Sequence, residues 1–172
     1  PPMKGIVFTE FIEMIENRFG PDTVDHLIEV SDSASGGAYT SVGTYDHEEL
    51  ERMLTALSAK AGLTVPVLLH EFGLHLFTRF AIGFPMLFEG KDNALDFLSQ
   101  VGSHIHVEVR KLYPDAELPT LEHQHLNDGQ LELLYRSPRP FAALAGGLIE
   151  GCIVHFGNAH TLTREDSSDQ CG

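Results

Sequence analysis

The apolar residues of this chain change period once, and that change leaves few folds open to it. Up to residue 112 they recur at three- and four-residue spacing, the stripe of an amphipathic helix. Ile6, Phe8, Phe11, Ile12, Met14 and Ile15 form one run, ended by Phe19-Gly20-Pro21, and Val24–Val30 forms a second. Ser31–Gly37 reads as a small-residue loop and Ala38–Thr44 as a short linker. Asp46, with Glu49 three residues on, has the spacing of a capping box for a helix through Ala61. Thr64-Val65-Pro66 opens another helix, with Leu68, Leu69, Phe72, Leu76 and Phe80 on its stripe, and Ala94–Leu112 reads as one more, stopped by Pro114. Then the period shortens to two. Thr120–Leu126 and Gln130–Arg136 flank Asn127-Asp128-Gly129, a strong hairpin signal. After Pro138 and Pro140, Phe141–His155 returns to helix, and Thr161–Gly172 is polar with the start of a strand expected in it. Helices first, then hairpin, helix and strand, give an α+β fold: a helical N-terminal half packed on a C-terminal antiparallel sheet with a long helix.

Composition narrows the function. The 172 residues suit one domain, expected over residues 3–172, with Met3 as the natural start and Pro1 and Pro2 as extra residues. Asp and Glu number 25 against 11 Lys and Arg, so the phosphate-neutralising patch that nucleic acid or anionic membrane requires is missing. No apolar run is long enough to span a bilayer and no signal peptide is recognisable, which reads as a cytoplasmic protein. Two cysteines, Cys152 and Cys171, do not make a disulfide framework or a Cys-rich zinc site. Histidine stands out, with ten in a chain that has no tryptophan.

Geometry sorts the histidines. His70-Glu71 begins a zincin-like pattern, but the next histidine is His75, and an i,i+5 pair on a helix diverges by roughly 140°. His104 and His106 diverge by roughly 160° on a regular helix, which puts His106 beside the stripe of Leu98, Gly102, Ile105 and Val109 and His104 towards solvent. Gly102, one turn before His106, costs about 1 kcal/mol in a helix interior and reads as room for a flat ligand. On this helix alone, a core-edge histidine bonded to a carbonyl is the simpler reading. His123 and His125 share a strand face, but without a third ligand they read as an exposed polar edge.

Tyr135, Ser137 and Arg139 alternate in an extended segment, so their side chains share a face. Pro138 and Pro140 between them hold the chain extended and remove ladder donors. Two hydroxyls and a guanidinium in a row suit a ligand with two adjacent carboxylates. An arginine meeting a surface carboxylate at a strand end remains the alternative.

These stretches carry a resemblance. With Met3-Lys4-Gly5-Ile6, Gly37-Ala38-Tyr39-Thr40, Tyr45-Asp46-His47, Phe72-Gly73, His106-Val107-Glu108-Val109, Lys111-Leu112-Tyr113-Pro114, Tyr135-Arg136-Ser137-Pro138-Arg139 and Gly147-Leu148-Ile149-Glu150-Gly151, the chain resembles the haem nitric oxide/oxygen-binding (H-NOX) family, bacterial relatives of the haem domain of soluble guanylate cyclase. The resemblance implies haem b (iron protoporphyrin IX) between the helical half and the sheet. His106 matches the proximal iron ligand, and Tyr135, Ser137 and Arg139 match the triad that holds the haem propionates. Pro119 matches a proline that presses on the porphyrin, and Val7 a haem-contacting position. Phe11, Leu76, Phe80, Leu144 and Leu148 are expected in the distal and flanking pocket. In oxygen-binding members a distal tyrosine donates to bound dioxygen; the aligned residue here is Leu144, with Phe11 and Leu76 replacing the supporting polar residues.

The expectation is therefore a sensor of nitric oxide, binding carbon monoxide too but not stably dioxygen, at a five-coordinate ferrous haem. By the same resemblance, nitric oxide weakens the iron–His106 bond, the porphyrin flattens and the N-terminal helices shift. The output then belongs to a separate histidine kinase or diguanylate cyclase. An enzyme is not expected, since an apolar distal side has no general acid or base for O–O cleavage. The alternatives are a zinc or thiol redox sensor built on Cys171 and His160, without the upstream cysteines such a site needs, and a haem storage or transfer protein. The family's last strand is expected to follow the region of Cys171.

Overall fold

Each helix of the first half is set by an apolar stripe and a breaker. The computed structural model describes residues 2–127, 129–157 and 159–166. A short strand β1 (Pro2–Lys4) runs into α1 (Gly5–Phe19), which buries Phe8, Phe11, Met14 and Ile15. Gly20, at φ 90°, ends α1, and Pro21 opens α2 (Pro21–Ser31). The stretch read as a linker ends in a strand, β2 (Thr44–Asp46), paired antiparallel with β1 with Met3 opposite Tyr45. Three residues are too few to display a period, so this ribbon has no sequence signal.

Asp46 caps α3 (His47–Ala61) by accepting from the Glu48 N–H at 3.1 Å, and Thr64 caps α4 (Val65–Gly83) by accepting from Val67 at 3.3 Å. The second half of the expected capping box is otherwise engaged. Glu49 is buried, and its carboxylate accepts from the Ser35 N–H at 3.2 Å, the Ser35 hydroxyl at 2.9 Å and the Tyr39 hydroxyl at 2.9 Å. A buried carboxylate needs such donors, and the loop before β2 supplies them.

The expected helix over Ala94–Leu112 is three pieces. α5 (Ala94–Ser99) gives way to a π-turn over Val101–Ile105, and α6 (His106–Leu112) follows. The Ile105 N–H reaches the Gln100 carbonyl at 3.0 Å, five residues back. Gly102 explains the break, because a Cβ there would run into the Leu121 carbonyl. Its missing side chain makes room for the neighbouring strand rather than for a ligand. β3 (Thr120–Asn127) and β4 (Gln130–Arg136) form the expected hairpin, with Leu121 opposite Tyr135 and a bulge between His125 and Asn127. Asp128 of its turn lies outside the described residues. Of the polar C-terminal stretch, residues 161–166 carry no regular structure and the remainder, with Cys171, lies outside the described residues.

The fold class is α+β as expected, but the helical half meets the C-terminal part mainly through α7 (Ala142–His155) rather than through the sheet. α4 and α7 approach backbone to backbone. A Cβ on Gly73 would lie 2.5 Å from the Leu144 carbonyl, and one on Gly147 would collide with the His70 carbonyl. Two apolar cores flank this contact. One is built on Phe8, Phe11, Leu50, Leu54 and Phe72, the other on Phe77, Phe97, Ile105 and Ile153, and Leu148 of α7 packs against both. Among the described residues no single helix is long and apolar enough to cross a membrane.

The glycine contact predicts opposite outcomes for neighbouring substitutions. Gly147→Ala overpacks the crossing and lowers stability by about 2 kcal/mol, a melting-temperature drop of roughly 4–8 °C. A Cβ on Gly146 would have its nearest neighbour, His70 Nδ1, at 3.9 Å, so Gly146→Ala is neutral or stabilising by up to about 1 kcal/mol. Thermal melts followed by circular dichroism check both.

Candidate functional site

Beside the α4–α7 crossing lies a cavity of about 280 Å³, walled by α1, α4 and α7 on the helical side and by α6, the 113–119 loop and β4 on the other. α1 contributes Ile6 and Val7; α4 contributes Leu76, Phe77 and Phe80; α7 contributes Leu144, Ala145, Leu148 and Ile149. None of these side chains carries a hydrogen-bond donor. The polar side chains on the wall come from elsewhere: Lys4, His106, Tyr113, Glu117, Tyr135 and Arg139.

His106 is the first residue of α6, and the π-turn before it fixes its direction. The imidazole has no hydrogen-bond partner among the described residues. Burial, helped by the positive charge of Arg110, pushes its pKa below the ordinary histidine value. Neutral imidazole is therefore favoured, with a ring nitrogen free to donate to a metal. His104 is exposed, on the solvent side as the sequence predicts.

At another end of the cavity the hairpin delivers the Tyr-Ser-Arg row. Exposure alternates along residues 131–139, and Leu131, Leu133, Tyr135, Ser137 and Arg139 all turn from solvent. Arg139 is 9% exposed. Its Nη1 donates to the Pro2 carbonyl at 3.1 Å and its Nη2 to the Glu117 carbonyl at 2.7 Å, and among the described residues no carboxylate pairs with it. A charged, nearly enclosed guanidinium with only neutral partners is costly, by several kcal/mol, unless an anion joins it. Ser137 lies behind this row, its hydroxyl accepting from the Arg139 N–H at 3.1 Å.

Of the sequence-expected pocket residues, Val7, Leu76, Phe80, His106, Pro119, Tyr135, Arg139, Leu144 and Leu148 line the cavity. Two do not. Phe11 is fully buried in the helical core, edge-to-face with Phe72 at 5.2 Å, because its place on the α1 stripe faces α4. Ser137 is not among the lining residues, and its hydroxyl accepts from the Arg139 N–H. Sequence reasoning missed Lys4 and Tyr113, which line the cavity from the ribbon and the 113–119 loop. The ribbon that brings Lys4 there has no periodic signal.

These residues fit a flat, largely apolar ligand with a metal at its centre and carboxylates at an edge. The imidazole, without a partner among the described residues, could hold the metal, the apolar side chains could cover the body, and the guanidinium could take the edge carboxylates. The thiol of Cys152, wholly buried in α7, is pushed up to about 12 by burial, which keeps it protonated and unreactive. No cluster of three or more His, Cys, Asp or Glu able to hold a metal occurs among the described residues.

Residues 4–164 match the Haem-NO-binding family model. The Fe(II) unliganded H-NOX protein of K. algicida superposes with a TM-score of 0.85 at 38% identity, over 90% of this chain and 83% of that one. The IWP-051-bound H-NOX of Shewanella woodyi, in the Fe(II)CO ligation state, is 44% identical with a TM-score of 0.77, over 90% of this chain and 81% of that one. Soluble guanylate cyclase 89Db of Drosophila melanogaster is 25% identical over 178 residues. That match takes in 99% of this chain but 26% of the fly protein, so the chain spans about a quarter of that relative's length. A family match over nearly the whole chain, joined to this cavity, makes it a member of the Haem-NO-binding, or H-NOX, family.

Proposed function

We propose that this chain binds haem b in the cavity with His106 as iron ligand and acts as a nitric oxide sensor rather than an enzyme, read by a separate effector such as a histidine kinase or a diguanylate cyclase. The observation that carries this is the pairing of an unpartnered imidazole with a buried, anion-free Arg139 across one apolar cavity. Haem held by a single histidine supplies an open coordination position at which the polarity of the surroundings selects the gas.

The chain's own residues supply the rest. His106 offers a neutral nitrogen from the start of α6. Arg139 and Tyr135 hold carboxylates by charge-assisted hydrogen bonds, and Ser137 fixes the Arg139 backbone. Leu76, Phe80, Leu144 and Leu148 exclude water and offer nothing to donate. These side chains would give no hydrogen bond to dioxygen, which needs a donor to be held, whereas nitric oxide and carbon monoxide need none. The apolar wall therefore favours the latter two. The Haem-NO-binding description of the family and the Fe(II)CO state of the S. woodyi relative support nitric oxide and carbon monoxide as ligands.

Two outcomes test the reading. His106→Gly purifies without haem and regains it when imidazole is supplied, followed by the Soret absorbance per protein; full haem loading with an unaltered ferrous spectrum and no imidazole would count against His106. Reduced wild-type protein shifts its Soret band with nitric oxide and with carbon monoxide, but in air it forms no stable new ferrous spectrum. A lasting spectral change in air, reversed by removing oxygen, would overturn the selectivity.

A further inference from the structure

Arg139 is not the only enclosed cation at its end of the cavity. The Lys4 side chain is 10% exposed, while the ion-paired Arg18, Arg79, Lys111, Arg136 and Arg164 are all at least 40% exposed. Lys4 lines the same cavity, with its ammonium 5.9 Å from the ring of Tyr113, another lining residue. The two cations are tied to the same two segments. Arg139 donates to the carbonyls of Pro2 and Glu117. Lys4, two residues along β1 from Pro2, pairs at 2.9 Å with Asp115, two residues before Glu117. Two residues of strand are about 7 Å.

A chain of net charge −14 thus encloses two cations on the wall of one cavity and gives them one carboxylate between them among the described residues. That carboxylate, of Asp115, is 64% exposed. It also accepts from the Thr44 hydroxyl at 3.1 Å, a partner it keeps if Lys4 turns elsewhere. The remaining Lys4 donors go to the Val42 carbonyl at 2.8 Å and to Thr44 Oγ1 at 3.1 Å, which hold the ammonium in place.

We propose that Lys4 is a second anion anchor of this cavity, taking one carboxylate of the bound porphyrin while Arg139 takes the other, with Asp115 as the placeholder that gives way. The inference rests on the haem reading above and assigns a binding role to a residue outside the Tyr-Ser-Arg row. Two carboxylates then meet two enclosed cations, and neither cation stays paired only with neutral groups or with an exposed side chain.

The test measures haem transfer from the ferric protein to excess apomyoglobin. Lys4→Gln loses haem about tenfold faster than wild type, the size of one charge-assisted hydrogen bond. Lys4→Arg stays within about twofold, since it keeps the charge. Asp115→Asn, which removes the competitor, loses haem no faster than wild type. Repeated with iron protoporphyrin dimethyl ester, the Lys4→Gln effect disappears. Equal acceleration in Lys4→Gln and Asp115→Asn would mean that the pair only fastens β1 to the 113–119 loop, and the proposal falls. It falls as well if Lys4→Gln keeps the wild-type rate. Should Lys4→Gln not fold, Asp115→Asn decides alone, and faster loss there overturns the anchor. Failure of the underlying reading looks different: wild-type protein would take up no haem at all.

Discussion

The close approach of α4 to α7 is the contact on which the rest of the molecule depends. Gly73 and Gly147 let the two backbones meet where any side chain would collide with a carbonyl. Helices normally pack 8–10 Å apart, and small residues bring them nearer. This crossing joins the helical half to the C-terminal part, and Leu148 spans both apolar cores across it. It also sets the cavity's walls, because Leu76 and Phe80 follow Gly73 on α4 while Leu144 and Leu148 flank Gly147 on α7. The proposed gas-facing surface is thus the continuation of this close packing. Its lack of polar groups follows from that position, since a donor here would need a partner in an apolar seam.

The opposite side of the cavity obeys a different constraint. The protein is strongly acidic, yet its enclosed charges at this site are positive. Arg139 is held by two carbonyls and Lys4 by a carbonyl, a hydroxyl and an exposed carboxylate. Such an arrangement orients both cations and leaves Arg139 with neutral partners alone among the described residues. It is a poor device for stability and a good one for receiving an anion, which makes the charge pattern, more than any single residue, the argument for a dicarboxylate at this edge.

How much of this the sequence displayed depends on the length of each signal. α1, α3, α4, the hairpin and α7 are long enough for a period to accumulate, and Asp46, Thr64, Pro21 and Gly129 mark ends by local chemistry. The β1–β2 ribbon is three residues a side and displays nothing, so Lys4 and its neighbours on the wall were invisible. The helix over Ala94–Leu112 failed for another reason. Its breakpoint is imposed by a strand about twenty positions further along the chain, through the Leu121 carbonyl, and no local propensity records that. Glu49 has the spacing of a cap and the burial of a loop anchor; tertiary partners overrode the local one. At the site, alternation correctly aligned Tyr135, Ser137 and Arg139. It does not tell a side chain on the cavity wall from one beside it, and Ser137 is not among the lining residues.

The same misread turn explains how the two ends of the cavity stay in register. The π-turn over Val101–Ile105 leads directly into His106, and its Gly102 lies where a Cβ would collide with the Leu121 carbonyl. Leu121 stands directly opposite Tyr135 in the hairpin. One short path of packed backbone therefore runs from the proposed iron ligand, through Gly102 and Leu121, to the first residue of the carboxylate-binding row. A helix read by period alone would let His106 turn independently of β4. The observed turn instead seats Gly102 against β3, the strand paired with the one that carries Tyr135 and leads to Arg139. That seating needs Gly102, whose missing Cβ lets the turn before His106 approach the Leu121 carbonyl.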